Sequence, residues 1–149
     1  MIKAEDLRIG DLVRVNCNCN CALAEGTIGT IVEISKETNT YNNKEFVKLI
    51  PINSVSNYGW GVLCNNIEGI PLTPEILEKN GWKKRTEGWY FMMISKYMYL
   101  SVEFGYENGI RVFLKRTTDG LYVKLNTANN VHELQHILWA LGKDANLKI

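Results

Sequence analysis

The segment from Trp89 to Leu125 constrains this chain more than any other. Four stretches rich in β-branched and aromatic residues follow one another there: Trp89–Ile94, Tyr97–Phe104, Ile110–Lys115 and Leu121–Leu125. Asn108-Gly109 and Asp119-Gly120 stand between them, and such pairs supply the positive φ angles that tight hairpin turns require. The pattern predicts a four-stranded antiparallel meander. From Tyr97 to Phe104 a large side chain occupies nearly every position, so that strand is expected to be covered on both faces.

A helix is predicted on each side of the meander. Within residues 70–82, Thr73 suits an N-cap, Pro74 the first helical position and Glu75 the positive end of the helix dipole. Ile76 and Leu77 would face inward, and Gly81 can take the left-handed position that ends the helix. After the meander, Asn130 suits a cap for a helix over Val131–Leu141. Val131, Leu134, Leu138 and Leu141 share one face there, and Gly142 terminates it.

The first third reads as short strands. Alternation runs from Gly10 through Val15, Gly26–Ile34 is β-branched, and Phe46–Ile50 forms a third strand ended by Pro51. The glycine inside Gly26–Ile34 marks a bulge or a close backbone approach. Asn16–Cys21 and Lys36–Lys44 read as exposed, mobile polar loops, and Pro51–Gly61 as an irregular stretch. The "Ile-Gly-Asp-Leu-Val" entry and "Gly-Thr-Ile-Gly-Thr-Ile-Val" return are similar to the start of SH3-like modules. The expectation is an α+β chain. Residues 1–66 would form an N-terminal SH3-like small β-barrel, and residues 67–149 a short helix, a four-stranded antiparallel meander and a C-terminal helix.

Composition narrows function mainly by exclusion. Of 149 residues, 46% are hydrophobic, enough to build a sizeable core. The formal net charge of +1 gives no global field toward nucleic acid or a membrane. No apolar run approaches the ~20 residues that span a bilayer. The opening Met-Ile-Lys-Ala-Glu-Asp-Leu lacks the pattern of a signal peptide. Four cysteines are too few for a disulfide scaffold, so a reducing cytoplasm is the expected compartment.

Three landmarks, in order, carry a family resemblance: Leu7-Arg8-Ile9-Gly10, then Ile70–Leu77 with Asn80-Gly81-Trp82, then Val131-His132-Glu133-Leu134-Gln135. With them the chain resembles a family of small uncharacterised proteins encoded by phages, prophages and integrated elements of Bacteroidetes. The resemblance implies a mobile-element origin within a host cell and no particular reaction.

His132-Glu133-Leu134-Gln135-His136 matches H-E-x-x-H, whose spacing sets two imidazoles on one helical face for zinc, with the glutamate as base. A catalytic zinc needs a third protein ligand. The residues after His136 hold no His or Glu, and Asp144 is their one carboxylate side chain. The longer pattern would need glycine at 139 and histidine at 142, where Trp139 and Gly142 stand. The match is therefore read as fortuitous, with His132 and His136 kept as the alternative metal ligands. Cys17, Cys19 and Cys21 alternate with asparagines and are spaced awkwardly for one tetrahedral site. No phosphate-cradling glycine loop and no nucleophile elbow occurs.

The remaining candidate is an aromatic and basic surface. Bases stack on aromatic faces at ~1–3 kcal/mol each, and phosphates pair with Arg and Lys. Lys83-Lys84-Arg85 and Lys115-Arg116 lie among Tyr58, Trp60, Trp82, Trp89 and several tyrosines. Lys84, Arg85, Trp89 and Arg116 are the candidate ligand-binding residues, with Tyr58 and Trp60 contributed by the N-terminal module. The expected function is non-enzymatic, without a cofactor: stoichiometric capture of a host protein or a nucleotide-like ligand, in its specific form a nucleotide immune signal. The alternatives are a nucleic-acid-binding accessory module and, behind it, a zinc hydrolase. A membrane partner is not expected, generic nucleic acid should bind weakly, and homo-oligomerisation is left open.

Overall fold

A computed structural model describes residues 2–16, 23–39 and 42–149. The chain is α+β, and its described residues form two five-stranded antiparallel sheets and two α-helices. It divides into a unit ending at Ile70 and a unit from Pro71 to Ile149.

The first unit contains β1 (Leu12–Val15), β2 (Ile28–Asn39), β3 (Asn42–Pro51), β4 (Trp60–Leu63) and β5 (Ile67–Gly69), in the order β4-β3-β2-β1-β5. A 3-10 turn at Cys64–Asn66 links β4 to β5. β5 pairs with β1 through Val13↔Gly69 and Val15↔Ile67, which is why the first unit extends past residue 66. Val13, Val15, Ile31, Val47, Leu49, Val62 and Ile67 form its core. Gly29 is the close approach that the sequence suggested: a Cβ there would lie 3.0 Å from the Ile50 carbonyl oxygen.

The Lys36–Lys44 loop expectation is corrected. The β2–β3 ladder continues to Asn39↔Asn42, with Lys36 opposite Glu45 and their charged groups 2.6 Å apart. Polar residues are compatible with such a ladder, where cross-strand pairs such as Lys36–Glu45 take the place of core contacts. Asn16 is described, whereas Cys17, Cys19 and Cys21 lie outside the described residues.

The second unit opens with α1 (Pro74–Lys79). Thr73 Oγ1 accepts the Ile76 N–H at 3.4 Å, Pro74 begins the helix, and Gly81 takes φ +79° after it. The sheet follows: β6 (Lys83–Thr86), β7 (Trp89–Ser95), β8 (Met98–Glu103), β9 (Arg111–Arg116) and β10 (Tyr122–Thr127), paired in chain order. The expected four strands are therefore five. Lys83–Thr86 pairs with β7 as an edge strand, a place where charged side chains remain solvated and which apolar patterning does not reveal. Gly109 and Gly120 hold φ +91° and +71°, as their turns require.

α2 (Val131–Ala140) closes the unit. Asn130 and Glu133 form a capping box in which the Glu133 carboxylate accepts the Asn130 N–H at 2.9 Å. Cross-strand register sorts the sheet into two faces. Tyr90, Leu100, Val102 and Val112 share one face and are buried, as are Leu77 of α1, Trp82, and Val131, Leu134 and Leu138 of α2. The interior of this unit lies there, and β8 is covered on both faces at Leu100, Ser101 and Val102.

Candidate functional site: the second face of the C-terminal sheet

The other face of the sheet is the candidate site. Register builds it from three cross-strand rows: Trp89, Glu103 and Arg111; then Phe91, Ser101 and Phe113; then Met93, Tyr99, Lys115 and Tyr122. Aromatic rings and cations thus interleave on one surface. Phe91 and Tyr99 meet edge to face, centroids 5.9 Å apart at 74°, and Phe113 meets Tyr122 similarly at 5.7 Å and 82°.

A hydrogen-bonded chain fixes the middle of this face. Trp89 Nε1 donates to Ser101 Oγ, and Ser101 Oγ donates to Glu103 Oε1 at 3.2 Å. Tyr106 donates its hydroxyl to Glu103 Oε2 at 3.1 Å, and Lys115 Nζ lies 2.5 Å from Oε1. Burial pushes the Glu103 carboxyl up. The hydrogen bond and charge of Lys115, with hydrogen bonds from Tyr106 and Ser101, outweigh burial and hold the group below its ordinary value.

Cations also sit over rings. The Arg85 guanidinium carbon is 4.6 Å from the Trp89 ring centre, and Lys115 Nζ is 4.4 Å from it. Arg111 covers Tyr106 at 3.7 Å. Arg85 reaches Trp89 because β6 carries a bulge between Lys84 and Thr86, which leaves Arg85 without a partner in the β7 register.

Beside Arg85 a hollow of about 460 Å³ opens, lined by Lys84, Arg85, Phe91, Met93, Tyr99 and Thr117. Lys84 is held by Glu87 at 2.8 Å, and that hydrogen bond raises its pKa. The site therefore combines two aromatic rings, a thioether and the Arg85 cation on a sheet floor, while Lys84 borders the hollow from a position opposite Tyr90, in the row of the other face.

Of the residues singled out in the sequence, Arg85 and Trp89 come together here, and Lys84 borders the hollow from the row of Tyr90 on the other face. Arg116 falls on the opposite face, in the row of Met98, and pairs with Asp119 at 2.9 Å. Tyr58 and Trp60 belong to the first unit: Tyr58 is exposed in the connection before β4, and Trp60 opens β4 opposite Leu49. Sequence reasoning missed Phe91, Met93, Tyr99, Ser101, Glu103 and Phe113 as one surface. The signal was the alternation Tyr99, Ser101, Glu103 against Phe113 and Lys115, legible once the strands are registered.

The H-E-x-x-H segment lies on α2. Glu133 caps its own helix, His132 is buried, and the His136 ring stacks on Trp139 with centroids 5.9 Å apart at 12°. Among the described residues no group of three His, Cys, Asp or Glu side chains is placed to hold a metal ion. No helix of the described residues is long and apolar enough to cross a membrane. The chain matches no family model, and no curated protein or solved structure matches it.

Proposed function

We propose that this is a non-enzymatic binding protein that captures a small nucleotide-like ligand on the second face of its C-terminal sheet. The observation that carries this reading is the hollow beside Arg85. Its volume of about 460 Å³ falls within the range of small-molecule sites. The Phe91–Tyr99 pair offers stacking surface, while Arg85 offers charge for phosphate. Strands hold all but one of the lining residues, Thr117 alone following β9, so little ordering cost accompanies binding. By class-level analogy with small phage proteins that sequester such signals, the proposed ligand is a nucleotide signal of host immunity, met in the host cytoplasm, and capture is stoichiometric sequestration.

For the first unit, the order β5-β1-β2-β3-β4 with a 3-10 turn between β4 and β5 supports the SH3-like reading.

A second reading, single-stranded nucleic acid, has its own support: Trp89, Phe113 and Tyr122 continue the aromatic surface beyond the hollow. Calorimetric titration with cyclic dinucleotides, cyclic trinucleotides, ADP-ribose and an oligothymidylate separates the two. The capture reading expects heat from a small nucleotide, with affinity reduced about tenfold or more by Arg85→Ala or Tyr99→Ala. Heat from the oligothymidylate alone would favour the second reading, and heat from none of them would remove both.

A further inference from the structure

The two edges of the C-terminal sheet are built differently. β6 is short, bulged and composed of Lys83, Lys84, Arg85 and Thr86, all exposed. Such edges resist pairing with another strand. At the other edge, Leu121, Tyr122 and Val123 are 61%, 66% and 63% exposed, and Lys124 is the single charge among residues 121–127.

The backbone of this edge is also available. The Leu121 carbonyl accepts the Arg116 N–H at 2.8 Å, and Val123 stands opposite Leu114, so residues 121 and 123 direct their backbone groups at β9. In an antiparallel ladder the residues between them, Tyr122 and Lys124, turn their N–H and C=O groups outward.

We propose that β10 pairs antiparallel with β10 of a second copy of this chain, about a two-fold axis at Val123. That register sets Tyr122 opposite Lys124 of the second copy, and Lys124 opposite its Tyr122, as hydrogen-bonded pairs with a cation beside each ring. Val123 meets Val123 at the axis, and Leu121 meets Leu125. Centring on Lys124 instead would place two ammonium groups opposite each other, which disfavours that register.

The interior side of the edge fits the same occupant. Leu125, Thr127, Ile137, Ala140 and Leu141 help line a groove of about 480 Å³ between β10 and α2. Leu121 of the second copy arrives beside Leu125, at the mouth of that groove. The contact is isologous, so the same residues serve both copies. The bulge between Lys124 and Asn126 bends the strand and confines the ladder to the segment around Val123. Pairing would join the two sheets into one of ten strands and continue the aromatic and basic surface across the axis.

Sedimentation velocity over a concentration series up to about 1 mM tests this, with Val123→Lys and Lys124→Pro as variants. Val123→Lys sets like charges at the axis; Lys124→Pro removes an outward N–H that the sheet of one copy does not use. Circular dichroism and melting show whether each variant is folded. The expected result is a monomer–dimer equilibrium in the wild type that either folded variant shifts to monomer by tenfold or more in dissociation constant. A wild type that stays monomeric throughout, or a dimer that neither variant weakens, would overturn the proposal.

Discussion

Lys115 and Glu103 form an ion pair of 2.5 Å on a sheet face, with side chains only 14% and 15% exposed. The same ammonium lies 4.4 Å from the centre of the Trp89 ring, whose indole N–H bonds Ser101. A partly buried pair of this kind is costly to break from one side, because the remaining charge loses its partner and does not regain full hydration. Its role on this face is to keep Trp89 and Lys115 in one geometry beside the hollow.

Replacing the carboxylate tests that role. Glu103→Gln keeps the shape and removes the charge, and should cost about 1–3 kcal/mol at neutral pH. The Glu103 carboxyl is held below its ordinary value in the folded state, so the unfolded chain binds its proton more readily. The contribution is present above about pH 4.3 and is lost as pH falls through the lowered folded value. Urea titrations at pH 7 and at acid pH should show the gap between wild type and variant closing on acidification. An equal gap at both would contradict the assignment.

The cap of α1 gives a second expectation. Thr73→Ala removes the acceptor for the Ile76 N–H and should cost about 1 kcal/mol. Thr73→Ser should restore most of it in thermal or urea unfolding. Nucleotide binding should be unchanged in both, and a stable Thr73→Ala protein that has lost binding would place this segment in the site.

Glu133 is assigned to the capping box. Glu133→Ala should therefore lower stability by about 1 kcal/mol whether or not zinc is present. Melting curves with added zinc and with chelator should coincide for the wild type. A stoichiometric zinc that is lost in His136→Asn would show that the motif binds metal after all.

What the sequence made legible follows from where each signal originates. The caps at Thr73 and Asn130 and the turn glycines Gly109 and Gly120 are local chemistry, and each performs its expected task. The edge strand Lys83–Thr86 was missed because its residues are exposed, and the extension of the β2–β3 ladder because its polar sequence carries no apolar period. For the site, Lys84, Arg85 and Trp89 are close in sequence as well as in space. Glu103, Phe113 and Lys115 join them only through the register of β7, β8 and β9, which no single segment encodes. Arg116 was separated from Lys115 by the alternation of a strand, since adjacent residues face opposite sides.

The most direct test of the account is a nitrogen–proton correlation spectrum recorded during titration with cyclic dinucleotides, cyclic trinucleotides and ADP-ribose in turn. The account predicts that at least one of them shifts amide signals of Arg85, Phe91, Met93, Tyr99 and Thr117, and that Arg85→Ala abolishes those shifts while leaving the rest of the spectrum in place. Shifts confined to other residues, or a spectrum that none of the three ligand classes perturbs, would contradict it.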